Sequence, residues 1–561
     1  MRPTLYTNGR IITLDEKSTV AAALVTRGRR ILAVGSTEDM AAAAGDGART
    51  VDLEGKAVVP GLIDTHAHMD REGLKHIGPS LQGCRCIDDV LLRIEAAVRK
   101  APPGKWIVTM PVGDPPYYWE GAASLREGRL PNRHELDAVS PHNPVFIRPV
   151  WGYWRHAPNP ETLISAANTL ALAATGINPK TPLPSPNISL EVDQKDETLS
   201  GIFVENVAMP IIELTMLDVA SRFSDEERRD AIGRSMQVYN SLGTTGIYEG
   251  HGVSAEVFRA YRAYCGRELP SVRVRMVHSP SWRSIGNADP AQVVGQWAYW
   301  AAGLGNEMLS MAGLFLDHRV NPDNAIRAQV APYTGWGGYH YDSSLALPDL
   351  KRVMLAAARA DIQCVTATSL LMDTMIEVDR VVPLAGRRWI VQHFGPMSEA
   401  HCEAAARMGL VLTPLTSRYL YKEGYHDKKI PQADFVPFKR LARLGVPVTL
   451  STDNAPPSLF EAIWHTVARR DRFNDDVPPA AEKLSPLDAL KCATVNGAYA
   501  TFEERDRGTL EPDKLADFAV LTSDPLSCPE DELRTIRSLM TIVDGRTVHQ
   551  DESVTGCGTS P

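Results

Sequence analysis

At 561 residues, with 44% hydrophobic and 23% charged side chains, the chain has a globular composition and is too long for one ordinary domain. Its net charge of −9 is small for that length and evenly spread, so with no basic stripe nucleic acid is not an expected partner. No apolar run approaches the roughly 20 residues that cross a bilayer, residues 1–12 carry no signal-like segment, and eight scattered cysteines favour a reducing compartment, so a cytoplasmic protein without a membrane partner is expected.

The first sixty residues predict short strands. Leu5-Tyr6-Thr7 leads through Asn8-Gly9, a hairpin signal, into Arg10-Ile11-Ile12-Thr13-Leu14. Further strands are expected over 21–26, 30–34 and 51–53. The last fifty residues share this texture, with a strand at 516–521 and a hairpin from 536–543 through Asp544-Gly545 into Thr547-Val548-His549. Residues 1–58 plus 505–561 are therefore expected to form one composite β-sandwich.

Between the ends, apolar runs alternate with amphipathic stretches. The runs fall at 246–248, 272–277, 312–316, 362–365, 389–392, 409–413 and 447–451. Helices are predicted over 225–242, 348–360 and 398–408, the last opened by Ser398 with Glu399 in its first turn. Repeated strand–helix units point to a parallel sheet, and about eight of them to a closed (β/α)8 barrel over 59–504. Residues 80–215 break the rhythm, are rich in Pro, Trp and Tyr, and predict an insertion after the first barrel strand.

The strongest chemical signal is Val58-Val59-Pro60-Gly61-Leu62-Ile63-Asp64-Thr65-His66-Ala67-His68. Side chains alternate along a strand, so His66 and His68 emerge on one face, where two neutral imidazoles can share a divalent cation. The alternative, two hydrogen-bonded loop histidines, is weakened by their place at a strand end after Pro60-Gly61.

That segment resembles the first barrel strand of the amidohydrolase superfamily, and nearly the whole chain resembles its branch of YtcJ-like proteins and N-substituted formamide deformylases. The resemblance is carried by Asn8-Gly9, by Arg129-Leu130-Pro131-Asn132-Arg133-His134-Glu135-Leu136-Asp137, and by Asn168-Thr169-Leu170-Ala171-Leu172. Gly201-Ile202-Phe203-Val204-Glu205 and Gly508-Thr509-Leu510-Glu511-Pro512-Asp513-Lys514-Leu515-Ala516-Asp517 extend it. It implies a (β/α)8 barrel beside a composite sandwich, in line with the alternation read above. It also implies roles for two positions. His393, in Ile390-Val391-Gln392-His393, is similar to the sixth-strand histidine, and Asp453, in Thr449-Leu450-Ser451-Thr452-Asp453, to the eighth-strand aspartate that binds metal and shuttles a proton. Either could instead be structural, Asp453 as a helix N-cap and His393 as a buried hydrogen-bonding group.

Two departures stand beside the resemblance. Two-metal members carry a bridging lysine where Gly313 stands here, and a fifth-strand histidine that Gln363-Cys364-Val365-Thr366-Ala367-Thr368-Ser369 lacks. The expectation is one divalent ion, zinc before manganese or iron, held by His66, His68 and Asp453, with His393 as a further ligand or a carbonyl-orienting group. His251 and His318 could compensate for the missing ligands, but read as pocket or loop residues rather than ligands. Candidate substrate contacts are Trp154, Arg155 and His156 in the insertion, with His318, His340 and Tyr419 after barrel strands. The aromatics suggest a small, planar or hydrophobic substrate, or else pack the insertion's own core.

The leading expectation is hydrolysis of an amide or cyclic-amide C–N bond by metal-activated water. The alternatives are C–C cleavage, decarboxylation or deamination in a one-metal barrel, or a non-catalytic small-molecule binding protein. A homodimer is the expected assembly.

Overall fold

Seven strands, each buried on both faces, run parallel in chain order: Leu62–Ala67, Thr244–Glu249, Arg273–His278, Leu309–His318, Cys364–Thr366, Ile390–Phe394 and Val411–Pro414. Such burial is what makes these segments read as continuous apolar runs. The structure, a computed structural model, describes residues 2–151, 154, 162–193, 197–207, 209–297, 303–319, 326 and 335–553.

Residues 448–453 close the ring, though not as a regular strand. Thr449 N donates to Leu412 O (2.9 Å) on one side, and Asp453 N donates to His66 O (2.9 Å) on the other. The result is a nearly closed eight-strand parallel barrel, as the alternation predicts. Hydroxyls tie its last and first strands together: Thr65 Oγ1 donates to Thr449 Oγ1 (2.7 Å), which also lies 2.7 Å from Thr413 Oγ1. Gln392 Nε2 donates to Thr65 O (3.1 Å).

The helices follow their local signals. Asp225–Ser241 starts at a capping box between Ser224 and Glu227, and Glu399–Met408 starts at Ser398, whose side chain accepts from His401 N. No described helix is long and apolar enough to cross a membrane.

A five-stranded sheet lies between the first and second barrel strands, built from Ile107–Thr109, Val145–Ile147, Leu163–Ala167, Ile188–Val192 and Leu199–Glu205. It meets the barrel through Arg148. This guanidinium pairs with Glu213 (2.7 Å) and lies 4.2 Å from the ring centroid of Trp336, in the segment after the fourth barrel strand.

The two chain ends share sheets. The N-terminal strand Ala57–Pro60 pairs antiparallel with Phe518–Leu521, which pairs in turn with Ser538–Val543. Tyr6, Ile11, Leu24 and Val58 share one apolar cluster with Phe518, Val520, Met540 and Ile542.

Asn8-Gly9 does not make the expected hairpin. Thr4–Thr7 belongs to a four-stranded sheet and Arg10–Ile12 to a six-stranded one. Leu5 and Tyr6 are both buried, as are Ile11 and Ile12, and a two-stranded hairpin cannot cover both faces of both strands. Asn8 takes a left-handed φ of 53° and steps the chain from one sheet to the other.

Deleting residues 505–561 should strip Ala57–Pro60 of its partner and uncover Val58 and Ile11. Each such side chain is worth about 1.5–3 kcal/mol of burial, so the shortened chain should aggregate in a light-scattering assay. A monomer of undiminished stability would show that the N-terminal strands stand alone.

Candidate metal centre

His66 and His68 leave the end of the first barrel strand together. Asp64, buried on the same strand, fixes their frame: its Oδ1 accepts from His66 N (3.1 Å) and Thr452 N (3.2 Å), and its Oδ2 accepts from Thr452 Oγ1. One carboxylate thus ties the His66 backbone to the residue before Asp453. Burial pushes the Asp64 carboxyl up to about 6, against the hydrogen bonds from Thr452 and His66.

The donors converge. His66 Nε2 lies 3.3 Å from His68 Nε2, 3.2 Å from His393 Nε2 and 3.4 Å from Asp453 Oδ1. His68 Nε2 lies 3.2 Å from Asp453 Oδ1, and His393 Nε2 lies 3.8 Å from Asp453 Oδ2. Two ligands about 2.0–2.1 Å from a tetrahedral zinc ion sit roughly 3.3–3.4 Å apart, so these separations match one ion. His393 and Asp453 both take left-handed backbone, with φ of 52° and 51°. That local cost is typical of groups held in place for function.

Protonation suits the same use. Burial drives His68 down to about 3 and His251 and His393 well below the usual imidazole range, which leaves them neutral. Burial alone would raise Asp453, but hydrogen bonds from His66 and His68 and the nearby His393 outweigh it and keep the carboxyl well below its usual range. Neutral imidazoles and an ionised carboxylate are the forms that bind a cation.

His251, expected as a pocket or loop residue rather than as a ligand, belongs to this cluster. Its ring centroid lies 5.0 Å from those of His66 and His68 and 5.2 Å from that of His393, and His66, His251 and His393 form a second convergent donor set. The turn that carries it is pinned by Gly250 N donating to Ala67 O (2.8 Å). A Cβ on Gly250 would lie 2.5 Å from the His66 ring, so glycine is needed for the approach. The signal available in sequence was Glu249-Gly250-His251 at the end of the second barrel strand.

His68 also shares a second buried group with Asp70 and Glu249, whose carboxylate oxygens and the imidazole nitrogen lie within 4.8 Å of one another. Burial pushes Asp70 up to about 6, with Arg71 and Arg228 opposing. Tyr261 donates to Glu249.

Gly313 marks the missing bridge in physical terms. A Cβ there would lie 2.2 Å from Gln363 O, so the fourth strand runs too close to the fifth for any side chain, lysine included. The fifth strand contributes Thr366, with no histidine.

The expected substrate residues divide. Tyr419 packs against Gly395, two residues past His393, where an added Cβ would overlap its ring at 2.6 Å. Trp154 instead stacks on Tyr118 (5.4 Å) and meets Trp336 edge-on (6.5 Å), inside an apolar core. An indole with that much apolar area gains more from such burial than from a solvent-facing pocket. His318 is buried at the end of the fourth strand, and the donor groups form without it. His340 N donates to Ser279 Oγ (3.0 Å), which places it beyond the third strand, whereas its neighbour Tyr339 lies 5.2 Å from His251. Arg155 and His156 lie outside the described residues.

Comparison with known proteins is consistent with this geometry. The sequence profile of the amidohydrolase family matches residues 49–549. An N-substituted formamide deformylase from Arthrobacter pascens is 27% identical over 97% of this chain and 98% of its own. A putative amidohydrolase, YtcJ, from Bacillus subtilis (strain 168) is 22% identical over 89% of this chain and 90% of its own. The crystal structure of an uncharacterized metal-dependent hydrolase from Pyrococcus horikoshii OT3 superposes with a TM-score of 0.67 at 19% identity, covering 94% of this chain and 99% of that one.

Proposed function

Because the chain belongs to the amidohydrolase family, whose members are hydrolytic enzymes, we propose that it cleaves the C–N bond of a small amide at a one-metal centre. The convergence of His66, His68, His393 and Asp453 on one point, at separations a single tetrahedral ion requires, carries this reading. Three of these donors would hold the ion and leave its fourth position to water, and His251 would be an alternative donor in place of those missing at Gly313 and on the fifth strand. A bound divalent ion, zinc by the nitrogen-rich donor set, would lower the pKa of water from about 15.7 towards ~7 and polarise the amide carbonyl.

The chain's own residues supply the rest. Asp453, ionised and beside the imidazoles, takes a proton from water and returns it to the leaving nitrogen. Asp64 keeps Asp453 and His66 in register through Thr452. Tyr339 lies against His68 and His251, and Tyr419 against Gly395 just past His393, so both would favour a flat or apolar group at the site. The identity of the A. pascens relative supports a formamide as the amide.

The test is metal analysis joined to product analysis. Zinc-replete protein should bind one ion per chain and convert aryl-substituted formamides to formate and the free amine, with loss of at least about 10²-fold on chelation. Two tightly bound ions would overturn the one-metal centre. Release of carbon dioxide or ammonia in place of formate and the substituted amine would move the reaction to decarboxylation or deamination.

A further inference from the structure

A cavity of about 600 Å³ runs along the insertion, and none of its lining residues is a donor of the metal centre. Its walls come from the helix Ile87–Val98, the strand Ile107–Thr109, residues 74–80 and 219–227, and Trp336 after the fourth barrel strand. A volume of that order is what a small organic ligand fills. Leu74, Ile77, Trp106, Phe223 and Trp336 make the walls apolar and partly aromatic. A bare inorganic ion would leave that apolar surface uncovered, whereas a ligand with a ring would bury it.

The polar part of the lining offers donors and positive charge. Thr109 and Trp336 are 1% and 2% exposed, and Thr109 Oγ1 and Trp336 Nε1 have no hydrogen-bond partner among the described residues. Buried polar atoms are nearly always paired, so two such atoms on residues of one cavity call for a partner that enters it. Arg148, buried in the same lining, directs Nε and Nη2 to Glu213. Arg93, Lys100 and Lys105 are exposed and have no carboxylate partner among the described residues. Glu227 is the one carboxylate of the lining, and it is engaged at Ser224 in the capping box of the helix Asp225–Ser241.

We propose that this cavity is a second ligand site, separate from the metal centre, which takes an aryl carboxylate. The ring would lie against Trp106, Phe223 and Trp336, and the carboxylate oxygens would accept from the donors and cations of the lining. A cationic ligand would meet the three positive charges of Arg93, Lys100 and Lys105 with no free carboxylate to offset them. A neutral apolar ligand would cover Thr109 Oγ1 and Trp336 Nε1 without pairing them, and so lose part of what its burial gains. The site shares no residue with the metal centre and therefore stands independently of the amide-hydrolase reading.

The experiment compares 4-phenylbutanoate with 4-phenylbutan-1-ol, which match in size, by calorimetry on the zinc-loaded full chain. Salt is held at about 0.15 M, where charges farther apart than ~8 Å are largely screened. The wild type should prefer the acid by on the order of tenfold, the size of one charge-assisted hydrogen bond. Lys100→Glu combined with Lys105→Glu, both exposed and so without consequence for the fold, should remove most of that preference. Thr109→Val should weaken acid binding several-fold. The urea midpoint of the ligand-free Thr109→Val chain should not fall below that of the wild type, because the lost hydroxyl has no partner there to lose. No preference for the acid in the wild type would overturn the site. So would an undiminished preference in the charge-reversed variant, which would place the acid elsewhere, the metal included. Acid binding untouched by Thr109→Val would overturn it as well.

Discussion

Asp453→Asn should lose at least ~10²–10⁴-fold in turnover, the range of general acid–base assistance, while the protein keeps its fold. The amide oxygen can still approach His66 and His68, which lie 3.4 and 3.2 Å from the carboxylate, but it cannot accept a proton at neutral pH. The left-handed φ of 51° at this position is one asparagine tolerates, so backbone strain does not confound the comparison. Loss of one negative charge should also weaken the site's hold on zinc. His393→Asn separates the two effects, because it removes a donor 3.2 Å from His66 without touching the proton acceptor. Turnover and bound zinc measured on both variants assign the roles. Near-normal turnover in Asp453→Asn would show that the proton takes another route, and the mechanism would be abandoned.

Asp517→Ala should destabilise the chain by about 3–5 kcal/mol, the cost of orphaning one partner of a buried ion pair. Asp517 immediately precedes Phe518–Leu521 of the six-stranded sheet and Arg273 opens the third barrel strand, with side chains 2% and 0% exposed. The guanidinium donates to both Asp517 oxygens, at 2.6 and 3.1 Å, and to Asp544 at 2.8 Å. Desolvation opposes its charge, and these carboxylates outweigh it, holding its pKa above the usual range. Removing one carboxylate leaves a buried cation half-paired at the seam between barrel and sandwich. The double substitution Arg273→Met with Asp517→Leu should recover much of the loss, since replacing a whole buried pair by apolar groups is often neutral. Urea midpoints for the single and double variants are the measurement. A single variant within 0.5 kcal/mol of wild type, the usual size of a surface change, would show that the pair is not holding the seam.

The alternation of apolar runs and capped amphipathic stretches determined the barrel, because parallel strands buried on both faces must be apolar throughout and each helix start announces itself locally, as Ser224 and Ser398 do. The period of a strand likewise determined that His66 and His68 share a face. Other features depended on partners distant in sequence. Asn8-Gly9 reads as a hairpin by itself, and only the strands at 23–27 and 57–60 decide that it joins two sheets. His251 follows a strand end that reads as a loop, and it enters the cluster because the second strand lies beside the first. Trp154 looks like a pocket aromatic until Tyr118 and Trp336 enclose it. Periodicity and capping act over a few residues and are written in the sequence. Donor convergence, burial and charge balance are sums over neighbours that only chain closure supplies, so the tertiary structure alone could decide them.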